Sequence, residues 1–241
     1  MSAIALSVVV PIHNERDNIQ ALVFEIRQAL DGVCTYEIIY VDDHSTDGSL
    51  ELLLEIQSTV PQLRVLAHTR CCGQSAGLRT GIAHAQAPWV ATLDGDGQNA
   101  PSDIIKLLAA RDQADAHTKL FAGWRVHRQD TRAKRWASRF ANALRSALLR
   151  DNTPDTGCGI KLIERSVFLR LPFFDHIHRY LPALVQREGW KTHSIPVDHR
   201  HRRAGVSKYT NMRRALVGVR DLLGVSWLIA RYHRVDLKDL S

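Results

Sequence analysis

Asp94, Asp96 and Gln98 stand two residues apart in the segment Asp94-Gly95-Asp96-Gly97-Gln98. Side chains alternate along an extended chain, so residues two apart share one side. This spacing aims two carboxylates and an amide into one space. Carboxylates held that close repel each other. A hard divalent cation removes that cost, and magnesium typically takes one or two carboxylates together with phosphate oxygens. The chemistry on offer is a cation that bridges protein to a phosphate-bearing ligand. An isolated Asp-Gly-Asp reads more simply as a solvated acidic turn, and the surrounding chain argues against that here.

The turn must be positioned by regular elements. Trp89 to Leu93 is a short apolar run that reads as a buried strand, ended by the two glycines. The first half of the chain alternates strand and helix signals. Strands are expected at Ile4 to Val10, Tyr36 to Val41, Leu63 to His68, Trp89 to Leu93 and Leu120 to Gly123. Helices are expected at Glu15 to Leu30, Asp47 to Ser58, Gly73 to Ala85 and Ser102 to Ala114. Such alternation implies an α/β fold, with a mostly parallel central sheet and helices on both faces. Ligands of open sheets bind at the carboxyl ends of the strands. Three polar segments fall there: Pro11 to Glu15, Asp42 to Asp47, and Asp94 to Gln98.

Neither a Gly-x-Gly-x-x-Gly turn nor a P-loop follows the first strand. Instead it ends Val10-Pro11-Ile12-His13-Asn14-Glu15, and the second ends Val41-Asp42-Asp43-His44-Ser45-Thr46-Asp47-Gly48. Carboxylates there suit hydrogen-bond donors on a base or ribose. A diphosphate then depends on the cation at Asp94 and Asp96, and a nucleotide-sugar is a ligand of this kind. Other residues have structural readings. Asn14 and Asp47 suit helix N-caps, and Asp42 suits a structural role. Gly73, Gly77 and Gly81 share a helix face suited to close packing on the sheet. Cys158 reads as a small buried residue.

The second half is basic. A helical stretch from Arg125 to Arg150 carries Arg128, Arg132, Lys134, Arg135, Arg139 and Arg145, against the single acid Asp130. A loop, His199-Arg200-His201-Arg202-Arg203-Ala204-Gly205-Val206-Ser207-Lys208-Tyr209, follows later. The last helical stretch, Arg213 to Arg234, is apolar but broken by Arg220-Asp221. No linker divides the 241 residues, so one domain is expected. The formal charge of +7 and pI near 9.5 favour an anionic partner: nucleic acid, membrane surface or phosphorylated substrate. Four cysteines, Cys34, Cys71, Cys72 and Cys158, show neither a disulfide framework nor zinc spacing, which fits a reducing cytosol. No signal peptide and no apolar run long enough to span a bilayer is encoded.

The ordered set Val-Val-Pro-x-x-Asn-Glu, Val-Asp-Asp-x-Ser-x-Asp-Gly and Asp-x-Asp-x-Gln resembles family 2 glycosyltransferases with the GT-A fold, nearly end to end. Gly123-Trp124-Arg125, Ser138-Arg139 with Asn142, Asp155-x-Gly157-Cys158-Gly159-Ile160-Lys161 and Gly205-Val206-Ser207-Lys208-Tyr209 narrow the resemblance. They are similar to the dolichol-phosphate mannosyltransferase-like branch. The resemblance implies a single GT-A-type domain over residues 1–241. Residues 1–123 would form the nucleotide-sugar half, 124–210 the acceptor half and 211–241 a C-terminal helix. It implies that Pro11, His13, Glu15, Val41 and Asp43 hold the nucleoside. Asp94, Asp96 and Gln98 would bind Mg2+ or Mn2+ and the diphosphate. Arg125, Lys134, Ser138, Arg202 and Lys208 would surround a polyprenyl phosphate, with Asp94, Asp96 and Arg125 the catalytic group. His13 stands where the mannosyl branch usually has tyrosine, which leaves the base open. Many relatives carry two C-terminal transmembrane helices that this sequence lacks.

A polyprenyl phosphate is already an anionic nucleophile, so direct displacement with inversion needs no general base. Asp155 would be the candidate base for a hydroxyl acceptor, with a structural or orienting role the stronger reading. The expected site of action is the cytoplasmic membrane face, with peripheral attachment. Leu216, Val219, Leu222, Leu223, Trp227 and Ile229 supply an apolar face flanked by arginines, and a separate membrane-protein partner is a further option. Three rivals stand beside this reading: transfer to a glycan or soluble acceptor, a catalytically silent homologue, and a non-enzymatic nucleic-acid-binding protein. The last leaves the acidic motifs unexplained, so no nucleic-acid partner is expected.

Overall fold

The computed structural model describes residues 3–126, 145, 146, 148–198, 200 and 211–233. The first four strands are β1 (Leu6–Ile12), β2 (Tyr36–Asp42), β3 (Leu63–Ala67) and β4 (Trp89–Thr92). Helices follow them in turn: α1 (Arg16–Leu30), α2 (Ser49–Gln57), α3 (Gln74–His84) and α4 (Asp103–Gln113). Then come β5 (Thr118–Arg125), β6 (Lys161–Glu164), α5 (Arg165–Arg170), α6 (Leu181–Arg187), β7 (Lys191–Val197) and α7 (Asn211–Ala230). The seven strands form one sheet in the order β3-β2-β1-β4-β6-β5-β7. Only β6 runs against its neighbours β4 and β5; the other pairings are parallel.

Every residue of β1 and β2 is buried. That is the consequence of helices on both faces, and it explains the unbroken Val/Ile runs. Alternate residues serve opposite cores. Leu6, Val8 and Val10 join Ile19, Leu22 and Ile26 of α1 and Ile104 and Leu107 of α4 on one side. Val9, Ile39 and Val41 join Leu78 and Ile82 of α3, Phe168 of α5 and Leu184 of α6 on the other. Val225 of α7 belongs to this second core.

Pro11 is tolerated in a central strand because β1 pairs with β4 only over Leu6 to Val9 and with β2 alone beyond that. The close packing expected of Gly77 and Gly81 is present: added Cβ atoms would lie 2.8 Å from Pro11 Cβ and 2.4 Å from Val9 Cγ1. Gly73 departs from that face. It precedes α3 at φ +89°, where a side chain would be strained.

Two expectations need correction. Asn14 does not cap α1. It sits at φ 56°, and its Oδ1 accepts the Thr46 amide at 2.7 Å, so it clasps the β1–α1 loop to the β2–α2 loop. The cap comes from across that clasp: Asp47 Oδ2 accepts the Arg16 amide, and Ser49 Oγ accepts the Glu15 amide. Gly48, not Asp47, is the residue before α2, although Asp47 Oδ1 accepts the Ser49 amide. Second, the helix expected from Arg125 begins too early, because Arg125 is the last residue of β5. Lys134, Ser138, Arg202 and Lys208 lie outside the described residues.

Candidate active site

The carboxyl ends of β1, β2 and β4 converge with the N-terminus of α3, as the alternation predicts. Asp94 follows β4 and is half-buried. Gln74, the first residue of α3, donates from Nε2 to Asp94 Oδ1 at 2.7 Å. Asp96 Oδ1 accepts the Gln98 amide at 3.1 Å, which tightens the turn. Burial and the neighbouring Asp96 charge push the Asp94 carboxyl up to about 6, against opposing help from Lys161, Arg125 and Gln74. Asp94 and the neighbouring Asp96 form an all-oxygen donor pair suited to a hard divalent cation. The site is also shaped around Asp94. An added Cβ at Gly159 would fall 2.2 Å from Asp94 Oδ2, and one at Gly95 2.5 Å from Ile12 Cγ2.

Sequence reasoning missed the support beneath this turn. Lys161 is 3% exposed at the start of β6, and its Nζ donates to the Cys158 carbonyl. Burial lowers its pKa, while the charges of Asp94 and Asp155 and the Cys158 thiol oppose that. Its cation offsets part of the Asp94–Asp96 repulsion. A lysine directly before the apolar pair Leu162-Ile163 was the available signal. Cys158 is buried as expected, and burial pushes its thiol up.

Arg125 stands at the end of β5. Its Nε and Nη2 donate to Asp155 Oδ2 and Oδ1 at 2.7 and 2.9 Å, a two-point pair that fixes the guanidinium plane. Asp155 Oδ1 also accepts the Gly157 amide. This engagement matches the orienting role expected of Asp155. The Arg200 amide donates to the Gln98 carbonyl at 3.0 Å, so the basic segment that follows β7 begins against the acidic turn.

The residues assigned to the nucleoside by resemblance divide by location. His13 Nδ1 donates to the Asp43 carbonyl at 2.8 Å, which leaves Nε2 as the acceptor of the neutral ring. Glu15 is half-buried, and its Oε2 accepts from Asn18 Nδ2. Pro11 and Val41 are buried, Val41 against the glycine face of α3. Asp43 is 3% exposed. Its carboxylate accepts the amides of Cys72 and Gly73 at 2.8 and 2.7 Å and contacts His68 Nδ1 at 2.7 Å and Cys71 Sγ at 3.3 Å. Burial raises its pKa, but those bonds outweigh it and hold the carboxyl below its ordinary value. Asp43 thus anchors the loop that enters α3. Asp42 is structural as expected, with Oδ2 accepting the Ser45 amide. The absence of zinc spacing in sequence did not foresee that Asp43, His68 and Cys72 meet in space.

Among the described residues, no helix is long and apolar enough to cross a membrane. On α7 the expected single apolar face is split in two. Leu222, Val225 and Ile229 pack on the core, whereas Val219, Leu223 and Trp227 are 56, 62 and 61% exposed.

Comparison with known proteins agrees with this fold. An undecaprenyl-phosphate 4-deoxy-4-formamido-L-arabinose transferase from Edwardsiella ictaluri is 34% identical over 86% of this chain and 64% of its own length. A dodecaprenyl-phosphate galacturonate synthase from Rhizobium johnstonii is 31% identical over 95% of this chain and 68% of its own. The chain therefore spans about two thirds of the length of these relatives. A mannosyltransferase from Pyrobaculum calidifontis, solved with GDP-Man and Mn2+, superposes with a TM-score of 0.69 at 20% identity, over 98% of this chain and 67% of its own. Glucosyl-3-phosphoglycerate synthase from Mycobacterium tuberculosis, solved with Mn2+, UDP and glucosyl-3-phosphoglycerate, gives 0.67 at 17% identity, over 93% and 79%. The fold is of the GT-A type. Residues 7–171 match the family described as glycosyl transferase family 2, and the chain belongs to that family.

Proposed function

We propose that this chain transfers a sugar from a nucleotide-sugar to a polyprenyl phosphate, with inversion and with Mg2+ or Mn2+ at Asp94, Asp96 and Gln98. The observation that carries the proposal is the meeting of opposite charges at one sheet edge. The acidic turn Asp94–Gln98 lies within electrostatic reach of Arg125, and the basic segment starts on the Gln98 carbonyl. A donor diphosphate and an anionic acceptor would meet between them. The polyprenyl-phosphate acceptors named in the relatives at 34 and 31% identity support the choice of acceptor. The solved neighbours that contain Mn2+ support the choice of cation.

The donor set fits the cation because the two carboxylates already repel and Gly159, with no Cβ, leaves Asp94 the space it occupies beside Asp96. When bound, such a cation neutralises charge that develops on the leaving nucleoside diphosphate. The chain supplies the rest. Gln74 holds Asp94, and the Gln98 amide holds Asp96. His13 and Glu15 flank the nucleoside end, with Pro11, Val41 and Asp43 building its floor. Arg125, fixed by Asp155, would meet the acceptor phosphate, a role we propose from the resemblance for Lys134, Ser138, Arg202 and Lys208 as well. A phosphate nucleophile carries its own charge, so positioning and charge stabilisation account for the rate.

The exposed stripe Val219, Leu223 and Trp227 supports peripheral attachment to the membrane that holds the acceptor. Such a helix face buries into the headgroup boundary while nearby basic residues attract anionic lipid. We assign it to the cytoplasmic face, where a separate membrane protein could assist.

Incubation with a panel of nucleotide-sugars, Mg2+ or Mn2+ and polyprenyl phosphate, read by mass spectrometry of the lipid, tests the reaction. Glycosyl-phosphoryl-polyprenol should form, and Asp96→Asn should make little of it. Product only on a soluble phosphorylated or glycan acceptor would overturn the acceptor assignment. Undiminished turnover in excess chelator would overturn the cation.

A further inference from the structure

A second donor cluster lies two strands from the acidic turn; it shares Asp43 with the floor proposed for the nucleoside, while His68, Cys71 and Cys72 have no part in the proposed transfer. Asp43 follows β2, His68 follows β3, and Cys71 and Cys72 lead into α3. One ligand atom each from Asp43, His68 and Cys72 lies within 4.8 Å of the other two. Zinc bonds of roughly 2.0–2.3 Å in a tetrahedron space their donors about 3.3–3.8 Å apart. Shifts of about 1 Å therefore close the cluster. Cys71 Sγ, 3.3 Å from Asp43 Oδ2, adds a fourth donor from the adjacent residue.

The surroundings orient these donors in the way metal ligands require. The amides of Cys72 and Gly73 hold both Asp43 oxygens. His68 Nε2 lies 2.9 Å from Thr80 Oγ1. With Nε2–H donating to that hydroxyl, Nδ1 turns its lone pair toward the cluster, and such outer partners commonly set the tautomer of ligating histidines. Asp43 is buried, the His68 side chain is 14% exposed, and both cysteines are exposed, so an ion has a path in from solvent.

Donor chemistry separates the two sites. Two sulfurs, an imidazole nitrogen and one carboxylate favour a borderline-soft tetrahedral cation, while the oxygen-only turn at Asp94 and Asp96 favours a hard one. We infer that Asp43, His68, Cys71 and Cys72 form a site for a Zn2+-class cation, separate from the Asp94–Asp96 turn. Binding displaces the two thiol protons to solvent, leaving two thiolates on the metal.

Cobalt(II) titration of the whole chain in excess Mg2+ tests this, because thiolate coordination produces a charge-transfer absorption that oxygen ligands do not. One equivalent should develop the band. Cys72→Ser should weaken binding by on the order of 100-fold or more, while Cys34→Ser and Asp94→Asn should keep it. No band at one equivalent, a band that survives in Cys72→Ser, or its loss in Asp94→Asn would each overturn the site. A second measurement needs no variant. Stoichiometric Zn2+ should protect Cys71 and Cys72, and not the half-buried Cys34, from iodoacetamide. Equal alkylation of the pair with and without Zn2+ would also overturn it. Neither readout depends on sugar transfer.

Discussion

Gly159→Ala is the sharpest probe of the acidic turn, because it displaces Asp94 without touching its chemistry. The new Cβ would fall 2.2 Å from Asp94 Oδ2, 2.3 Å from Cγ and 2.6 Å from Oδ1. Ordinary contacts of this kind need about 3.5 Å, so the carboxylate or the backbone must yield by about 1 Å. The backbone at Gly159, two residues before β6, is held by Thr92 Oγ1, which donates to the Gly159 carbonyl at 2.7 Å. Among the described residues, the one side-chain hydrogen bond that holds the carboxylate comes from Gln74 on the α3 side, so Asp94 moves. A 1 Å misplacement at a reacting centre costs about 10²-fold, and loss of one electrostatic element costs about 10²–10³. The expected fall in kcat is therefore about 10²–10³, or roughly 2.7–4 kcal/mol in the barrier. Steady-state kinetics at saturating donor and Mn2+, with a thermal melt to confirm folding, reads it out. A folded variant whose kcat stays within about threefold of the parent would refute the claim that Asp94 must stand where Gly159 lets it stand.

Asp94→Asn should abolish transfer yet stabilise the metal-free fold at pH 7.5. The folded carboxyl titrates at about 6, above its unfolded value, so the folded state holds its proton more tightly, and stability falls as pH rises through that window. A thermal melt should rise in the variant at pH 7.5 and coincide with the parent near pH 4; equal melts at pH 7.5 would deny the repulsion. For the same reason, Mn2+ affinity of the parent should fall about tenfold per pH unit below about 6. Asp155→Asn strands a mostly buried Arg125 and should cost about 3–5 kcal/mol. Adding Arg125→Met should recover part of that loss, whereas strictly additive losses in denaturant melts would deny the pairing. Val219→Ser/Leu223→Ser/Trp227→Ser should lower binding to anionic liposomes in flotation while shifting stability little, as exposed substitutions do. Unchanged flotation would exclude the stripe as the docking face.

Local pattern determined much of this protein. Apolar runs of strand length alternating with helix-length amphipathic segments were enough for a parallel sheet with its polar loops at one edge, because both periodicities are local properties. The position of Asp94 and Asp96 was legible for a related reason: residues that follow a strand are placed by that strand. Tertiary structure decided what no local pattern contains. β6 inserts antiparallel between β4 and β5, joined only by pairing across distant sequence, and it carries the buried Lys161 beneath Asp94. Asn14 and Asp47 looked like helix caps for their own helices, but loop–loop contact turned them into clasps between two strand ends. Asp43 looked like a ligand at a strand end, yet packing brought His68 and the 71–73 loop onto its carboxylate. Spacing along the chain cannot report such a cluster, since its members come from two loops on neighbouring strands. Likewise, composition marked α7 as apolar, but only its seating on the second core decided that Leu222, Val225 and Ile229 pack inward while Val219, Leu223 and Trp227 face outward.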